Sequence, residues 1–441
     1  MLAVLPAFAN LASERIFEEE KSLLLRAAAV VALPGAVAAW RRHGARLSRH
    51  AVVLGFAALV VWLVAATVAG TEYRDAFFGA YLKRHGLVTW LALGVLLAAM
   101  SAAAESADGR DRLIRAIAIG SIWPSASLLL QRAGLDPIHW IAPTAGFKPG
   151  GTFGNHVYIG GYLAVVIPLT AIQLTRSRAW IALLAVQVAA LAASGSRGAM
   201  IGFASGALVA AAAVCAARLP RRTFVAAVVA FGLAAASVML VPAARRAALD
   251  RFDPAVGSAR VRVLIWQQTI ALARDSGLRL WIGNGPESLR RLFPRYYSPE
   301  IGRLEKTDAI PDRAHNELLD TLVNGGIAGV LLEMIVFAAI IAGALRLTDV
   351  ALRAGLAAAG VAHVVEIQFG IATVVARLLL VAIAACVIGA SRSHAAAAVD
   401  AARTRGARRR QMPPVPSRTP VWILLAALAA IGAVSPLLSL L

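Results

Sequence analysis

The chain has 441 residues, 59% of them hydrophobic, with a mean hydropathy of +0.71 and a formal net charge of +20. Soluble domains average about 45–50% apolar, so this composition excludes an ordinary soluble protein. Runs of about 20 apolar residues are each long enough to cross a bilayer as a helix. Lysine occurs only at positions 21, 83, 148 and 306, so the positive charge is carried by arginine, whose planar fork suits phosphate. Arginine codons also accumulate in GC-rich genomes, a blander cause that the alanine-rich composition supports. Cys215 and Cys386 both fall inside apolar runs and read as core or lipid-facing residues rather than a disulfide. Met1 to Leu11 lacks the basic start of a cleavable signal peptide.

Twelve spans are predicted, over 22–40, 51–70, 87–104, 112–131, 157–175, 179–194, 198–217, 223–242, 316–345, 349–366, 370–390 and 419–440. Arg41, Arg42, Arg46 and Arg49 follow the first span, Arg176 and Arg178 the fifth, Arg218, Arg221 and Arg222 the seventh, and Arg403 to Arg410 the eleventh. Short loops rich in Lys and Arg stay cytoplasmic, which puts 71–86, 132–156 and 243–315 outside. The acidic segment Ser13 to Lys21 reads as interfacial, so Met1 to Ala12 either starts outside or re-enters from the outer face. The expected fold is all-α: a polytopic transmembrane helical bundle of about 12 spans with one large periplasmic, partly helical loop. It divides into an N-terminal bundle (1–242), a periplasmic loop domain (243–315), C-terminal transmembrane helices (316–390), a basic and then Pro-rich cytoplasmic linker (391–418) and a last helix (419–441). No internal repeat of the kind that marks many transporters is visible.

The one long polar segment, 256–326, is rich in arginine, aromatics and turn residues and closes on His315-Asn316-Glu317 as the next span begins. A histidine at a cavity mouth can serve as a general base near neutral pH; the bland alternative is a helix cap built on Asn316. Four other clusters stand at outer-face positions. Lys83 and Arg84 with Tyr81 either hold a phosphate group or anchor the chain by snorkelling. Gly150-Gly151-Thr152-Phe153-Gly154-Asn155-His156 opens a span and offers backbone amides to an anion, or is an ordinary cap with turn glycines. Ser196-Arg197-Gly198 places an arginine at membrane depth, where charge is costly unless it is paired or lines a wet cavity. Arg262 and Trp266 share a helix face at i and i+4, read as an amphipathic helix on the outer leaflet. Inside the membrane, Glu366 and Arg377 are candidates for an ion pair. No metal cluster, P-loop, nucleophile elbow or dinucleotide fingerprint is present in the sequence.

In their order and spacing, Gly-Thr-Phe-Gly-Asn at 151–155, Ser-Arg-Gly at 196–198, Arg262 with Trp266, Gly-Asn-Gly at 283–285 and His-Asn-Glu at 315–317 resemble the bacterial O-antigen ligase and polymerase superfamily. The resemblance spans roughly 70–390. It implies a GT-C-type glycosyltransferase of the bacterial inner membrane that takes a glycan from an undecaprenyl diphosphate carrier at the periplasmic face. Ligases pass it to the lipid A core; polymerases extend a repeat unit; relatives glycosylate proteins. Under it Arg197 and Arg262 grip the diphosphate and His315 is the base, with Lys83, Arg84, Asn155, His156, Trp266, Asn316 and Glu317 as substrate-binding residues. The expected partners are the lipid-linked donor, a lipid A core or other glycan acceptor and membrane lipids, with no nucleic acid, no metal and no cofactor. Two departures stand out: His156 replaces a frequent Pro, and the N-terminal span looks truncated.

Ligation leads this reading, and polymerisation is its neighbour within the class. A lipid-linked oligosaccharide flippase is the distant alternative, disfavoured because charge concentrates in outer-face clusters rather than along several spans. The topology is tested by single cysteines at Ser276 and Ser393 in a background free of Cys215 and Cys386. An impermeant thiol reagent applied to intact spheroplasts should label position 276 and spare 393; the reverse pattern inverts the assignment.

Overall fold

The computed structural model describes residues 1–13, 16–70, 72–81, 83–138, 148–218, 257–305 and 310–406. Every α-helical or 3-10 element among these residues is part of an all-helical chain, as composition required. The α-helices are α1 (Glu18–Leu47), α2 (Ala51–Ala69), α3 (Tyr73–Phe78), α4 (Leu87–Ala103), α5 (Ala107–Gly120), α6 (Ile122–Arg132), α7 (His156–Ile172), α8 (Trp180–Ser194) and α9 (Arg197–Arg218). After them come α10 (Gly257–Asp275), α11 (Arg279–Ile282), α12 (Leu289–Leu292), α13 (Pro299–Leu304), α14 (Glu317–Leu345), α15 (Val350–Glu366) and α16 (Val374–Gly406).

The protein is a multi-pass membrane protein by this architecture. Seven helical stretches are long and apolar enough to cross a bilayer: 18–42, 51–69, 107–132, 156–175, 197–218, 317–345 and 374–393. α4 and α8 are apolar but shorter, and α15 also falls short of a full crossing, so among the described residues ten predicted spans become helices while seven meet the length and hydropathy of a full crossing. The predicted spans 223–242 and 419–440 lie outside the described residues. Two boundaries differ from expectation. The span 112–131 is two helices, α5 and α6, meeting at Ser121. α16 runs on to Gly406, so the first part of the expected flexible linker is helix; alanine there favours it and the prolines come only later.

Helix direction alternates. α1, α4, α7, α9, α14 and α16 begin, and α2, α6, α8 and α15 finish, at one end of the bundle. Contacts there tie the starts together: Lys21 reaches the Thr152 carbonyl just before α7, and Glu18 meets His85 before α4 and the Val374 amide at the start of α16. At the opposite end Arg392 pairs with Glu105, and Arg110 donates to the Ala104 carbonyl at 2.9 Å. The chain start takes the re-entrant course: Leu5 is fully buried, Pro6 accepts from Thr152 Oγ1 at 2.8 Å, and Leu2 and Ala3 sit against Gly120 where α5 gives way to α6.

Helices in lipid have little hydrophobic drive to associate, so they pack through small residues that let backbones approach. Gly198, Gly202 and Gly206 recur every fourth residue along α9 and face α15. A β-carbon at Gly206 would lie 2.5 Å from the Ala358 carbonyl, and one at Gly202 would lie 2.7 Å from that of Ala362. α14 holds a second close approach. Its backbone breaks at Gly326 (φ 66°, ψ −171°), freeing carbonyls that a membrane cannot solvate. Trp62 Nε1 donates to the Gly325 carbonyl at 2.7 Å, and the amides of Asn284 and Gly285 donate to Val323 and Asn324. The Gly-Asn-Gly motif is thus a wedge that satisfies a broken helix.

The described part of the polar segment is a small helical cap with its own core. Val261, Leu264, Ile265 and Trp266 of α10 pack with Leu289, Phe293, Ile301 and Ala314. α10 is therefore enclosed by protein rather than laid on the leaflet as the sequence suggested.

Packing at Gly202 gives a stability prediction. Gly202→Leu should lower the melting temperature of the detergent-solubilised protein by several degrees or prevent accumulation, because the Ala362 carbonyl and Glu366 Cβ leave no room. Gly35→Leu, where nothing lies within 4 Å of an added β-carbon, should melt near the wild type. Equal melting of the two variants would remove the close α9–α15 approach from the list of stabilising contacts.

Candidate active site

The helix-start end of the bundle gathers Arg197, Arg262 and His315 from α9, α10 and the turn before α14. Arg197 is exposed at the first residue of α9, after a turn in which Gly195 takes φ +66° and Ser194 accepts from the Ser196 amide. Arg262 is half-buried; burial, then the charge of neighbouring Arg197, pushes its guanidinium below its ordinary value, with Glu366 and Glu305 opposing. Neither arginine makes an ion pair or hydrogen bond among the described residues. His156, the first residue of α7, faces the positive charges of Lys148, Arg262 and Arg132. Two like charges held together in a partly dry site repel, and an anion between them relieves that cost.

His315 sits in the left-handed region at φ +55°, where a residue with a β-carbon is strained by about 1–3 kcal/mol. Arg84 (φ 60°) and Glu287 (φ 62°) are the other non-glycine residues with positive φ among the described residues, and all three belong to this end of the molecule. Each is held by neighbours. Arg84 pairs with Glu19 at 2.9 Å; Glu287 accepts from Arg313 at 2.7 Å and from the Ala80 amide. Asp312 pairs with Lys83 at 2.8 Å. Burial would raise the Asp312 carboxyl, but Lys83 first, with Arg313 and His315, holds it at about 2. For His315 burial and the charges of Arg262 and Lys83 act together against Asp312, and its imidazole falls to about 3.

The structure redistributes the roles suggested by sequence. Lys83 stays beside His315 but is engaged with Asp312, and Arg84 belongs to Glu19 rather than to an open phosphate site. Asn155 caps α7, accepting from the Val157 amide at 2.8 Å. Asn316 caps α14, accepting from the Leu319 amide at 3.1 Å, and its Nδ2 donates to the Gln368 carbonyl. Glu317 is buried and receives Arg377 at 2.5 Å. Trp266 is buried, and its indole N–H donates to the Ala314 carbonyl at 2.9 Å, so it faces the backbone rather than a ligand. The expected Glu366–Arg377 pair does not form. Arg377 takes Glu317 and lies over the Trp90 ring at 4.6 Å, while the Glu366 carboxyl rests against Gly161 and Gly370 on the Arg262 side.

Sequence reasoning missed Asp312, Arg313, Glu287 and Asp320. Their signal was the adjacent acid and base Asp312-Arg313 just ahead of the histidine, but nothing local shows that Arg313 is buried opposite Glu287, 26 residues earlier.

Residues 182–334, about a third of the chain, match the O-antigen ligase family model. That match supports the resemblance to the O-antigen ligase and polymerase superfamily. It runs from within α8 into α14, so the matched segment carries Arg197, Arg262, the Gly-Asn-Gly wedge and His315, and leaves Lys83, His156, Glu366 and Arg377 outside. The family is one of glycosyltransferase-like membrane enzymes acting on lipid-linked glycans and acceptors. No curated protein matches the chain.

The charge cluster sets a titration that can be read without any substrate. An unperturbed histidine titrates near 6.5; in the unliganded protein His315 should stay neutral down to about pH 4 and protonate near 3. Nitrogen NMR of histidine-labelled protein in detergent, assigned with His315→Gln, reads this directly. Arg262→Gln should move the midpoint upward, because one of the opposing cations is gone. A His315 midpoint of 6.5 in the wild type would show that the cations do not act on the ring.

Proposed function

We propose that this chain is an O-antigen ligase-type glycosyltransferase that moves a glycan from undecaprenyl diphosphate to an acceptor hydroxyl, of the lipid A core, at the periplasmic face. The observation that carries the reading is the meeting of Arg197 and Arg262, without ion-pair partners among the described residues, beside His315, from segments that are far apart in sequence. The acceptor hydroxyl oxygen attacks the anomeric carbon as the bond from that carbon to the diphosphate oxygen breaks. The leaving diphosphate keeps the electron pair, and the configuration inverts. Arg197 and Arg262 neutralise the charge that grows on it; fixed cations aimed at developing charge are usually the largest catalytic contribution. The hydroxyl proton passes to the neutral His315 imidazole.

A donor bearing two negative charges also changes the base. Bound against Arg262, it offsets the charge that holds His315 near 3, so the imidazole becomes a better proton acceptor when the donor is in place. Lys83 and His156 border the same site. Polymerase and protein O-oligosaccharyltransferase activity would use this same donor chemistry, and the acceptor separates them. Among the described residues no three His, Cys, Asp or Glu side chains gather as metal ligands, and the reading assigns the electrostatic work to arginine.

Deleting the gene should remove all polymer from lipid A on a polysaccharide gel, whereas single-repeat attachment would make the protein a polymerase. Turnover should survive EDTA; loss that Mg²⁺ restores would sink the arginine account. Each Arg→Ala change at 197 and 262 should remove charge-assisted bonds of about 1.5–3 kcal/mol, and Arg→Lys should fail too, since a point charge cannot replace a bidentate fork. His315→Ala should cut turnover by roughly 10²–10⁴-fold with donor binding kept, and His156→Ala by much less. Near-normal turnover in His315→Ala with loss in His156→Ala would reverse the two roles.

A further inference from the structure

We propose that Trp266 is a positioning residue, whose indole N–H fixes the His315 backbone at a set distance from Arg262. This rests on the reading of His315 as the base. Among the described residues the His315 ring makes no hydrogen bond or ion pair of its own. Its placement comes through the backbone, which is strained at φ +55° and must be held there by its surroundings. The preceding peptide is gripped on both sides. Trp266 Nε1 donates to the Ala314 carbonyl at 2.9 Å, and the Ala314 amide donates to Asp320 Oδ1 at 2.8 Å. On the far side, Asn316 donates to Gln368 and the Glu317 amide donates to Ile367 at 3.0 Å.

Of these grips only Trp266 belongs to the helix that also presents a proposed diphosphate arginine. Arg262 and Trp266 are four residues apart on α10, about 6 Å along a helix axis. α10 is held in place by its own buried Val261, Leu264 and Ile265, packed with Leu289, Phe293 and Ile301. The helix thus acts as a ruler, with the leaving-group cation at one mark and the grip on the base at the next. The contact has a consequence for the reaction: an imidazole displaced by an ångström loses reach to the acceptor hydroxyl while the arginines still hold the donor.

The test is a double-mutant cycle on the purified full chain, using the lipid-linked glycan that accumulates in the deletion strain as donor. Trp266→Phe keeps an aromatic ring and removes the N–H. It should lower kcat about tenfold with the donor KM within twofold of wild type. In a His315→Ala background the same change should cost nothing further, since the group it positions is gone. If Trp266→Phe fails to accumulate, benzothienylalanine at 266, which replaces N–H by sulfur in the same bicyclic shape, takes its place with the same expectation. Equal losses in both backgrounds, or no loss in either, overturn the positioning role while leaving the proposed function standing. Full turnover in His315→Ala alone removes the base itself, and the inference falls with that reading.

Discussion

Much of the molecule depends on the first turn of α1, where charged side chains are taken out of solvent and tied to three other parts of the chain. Glu18 accepts from the Val374 amide and meets His85 at 3.0 Å; Lys21 is wholly buried, donates to the Thr152 carbonyl at 2.6 Å and lies over Phe153; Ser22 donates to the Lys83 carbonyl. Breaking one member of a buried ionic group leaves an uncompensated charge, a penalty of about 3–5 kcal/mol. That penalty is what fixes the loop of Lys83, the glycine-rich entry to α7 and the start of α16 against one another. Arg26 extends the same clamp, holding the Phe78 and Arg84 carbonyls and the Thr89 hydroxyl.

Upon this frame the site is built from strain and unbalanced charge. Left-handed residues at 84, 287 and 315 persist because ion pairs and caps on either side over-determine them. Acid–base pairs such as Lys83–Asp312 and Arg313–Glu287 neutralise most of the charge at this end. Among the described residues Arg197 and Arg262 have no such partners, and on the proposed reading this remaining positive charge is what an anionic donor meets. The same charges hold the His315 imidazole low, and on the proposed reading an anionic donor would offset them.

The deeper layer of polar contacts has a different purpose. Arg377, Glu317, Thr321 and Glu333 form a chain of short contacts behind the start of α14, with Thr321 donating to Glu333 at 2.6 Å. Beside them, Trp62 and the amides of the Gly-Asn-Gly wedge satisfy the carbonyls of a helix that breaks at Gly326. A broken helix at this depth is tolerated only when its backbone finds partners in protein.

The sequence by itself determined that the protein is an all-helical membrane protein and where most of its helices begin and end, and it grouped Arg197, Arg262 and His315 only through a family resemblance. Those features follow from local rules: apolar runs of bilayer length, caps such as Asn155 and Asn316, and motifs that stay in order along the chain. The tertiary structure decided who holds whom. Side-chain partners across the bundle are set by packing between segments remote in sequence, so Glu317 rather than Glu366 took Arg377, Arg84 went to Glu19, and Trp266 turned inward to grip the backbone before His315. The depth of α10 was likewise invisible, because an apolar helix face reads the same whether it meets lipid or a cap of other helices. Charge on a residue is local, but its compensation is a property of three-dimensional neighbours, and here it separates Lys83, Arg84 and Arg377, held in ion pairs, from Arg197 and Arg262, which have none among the described residues.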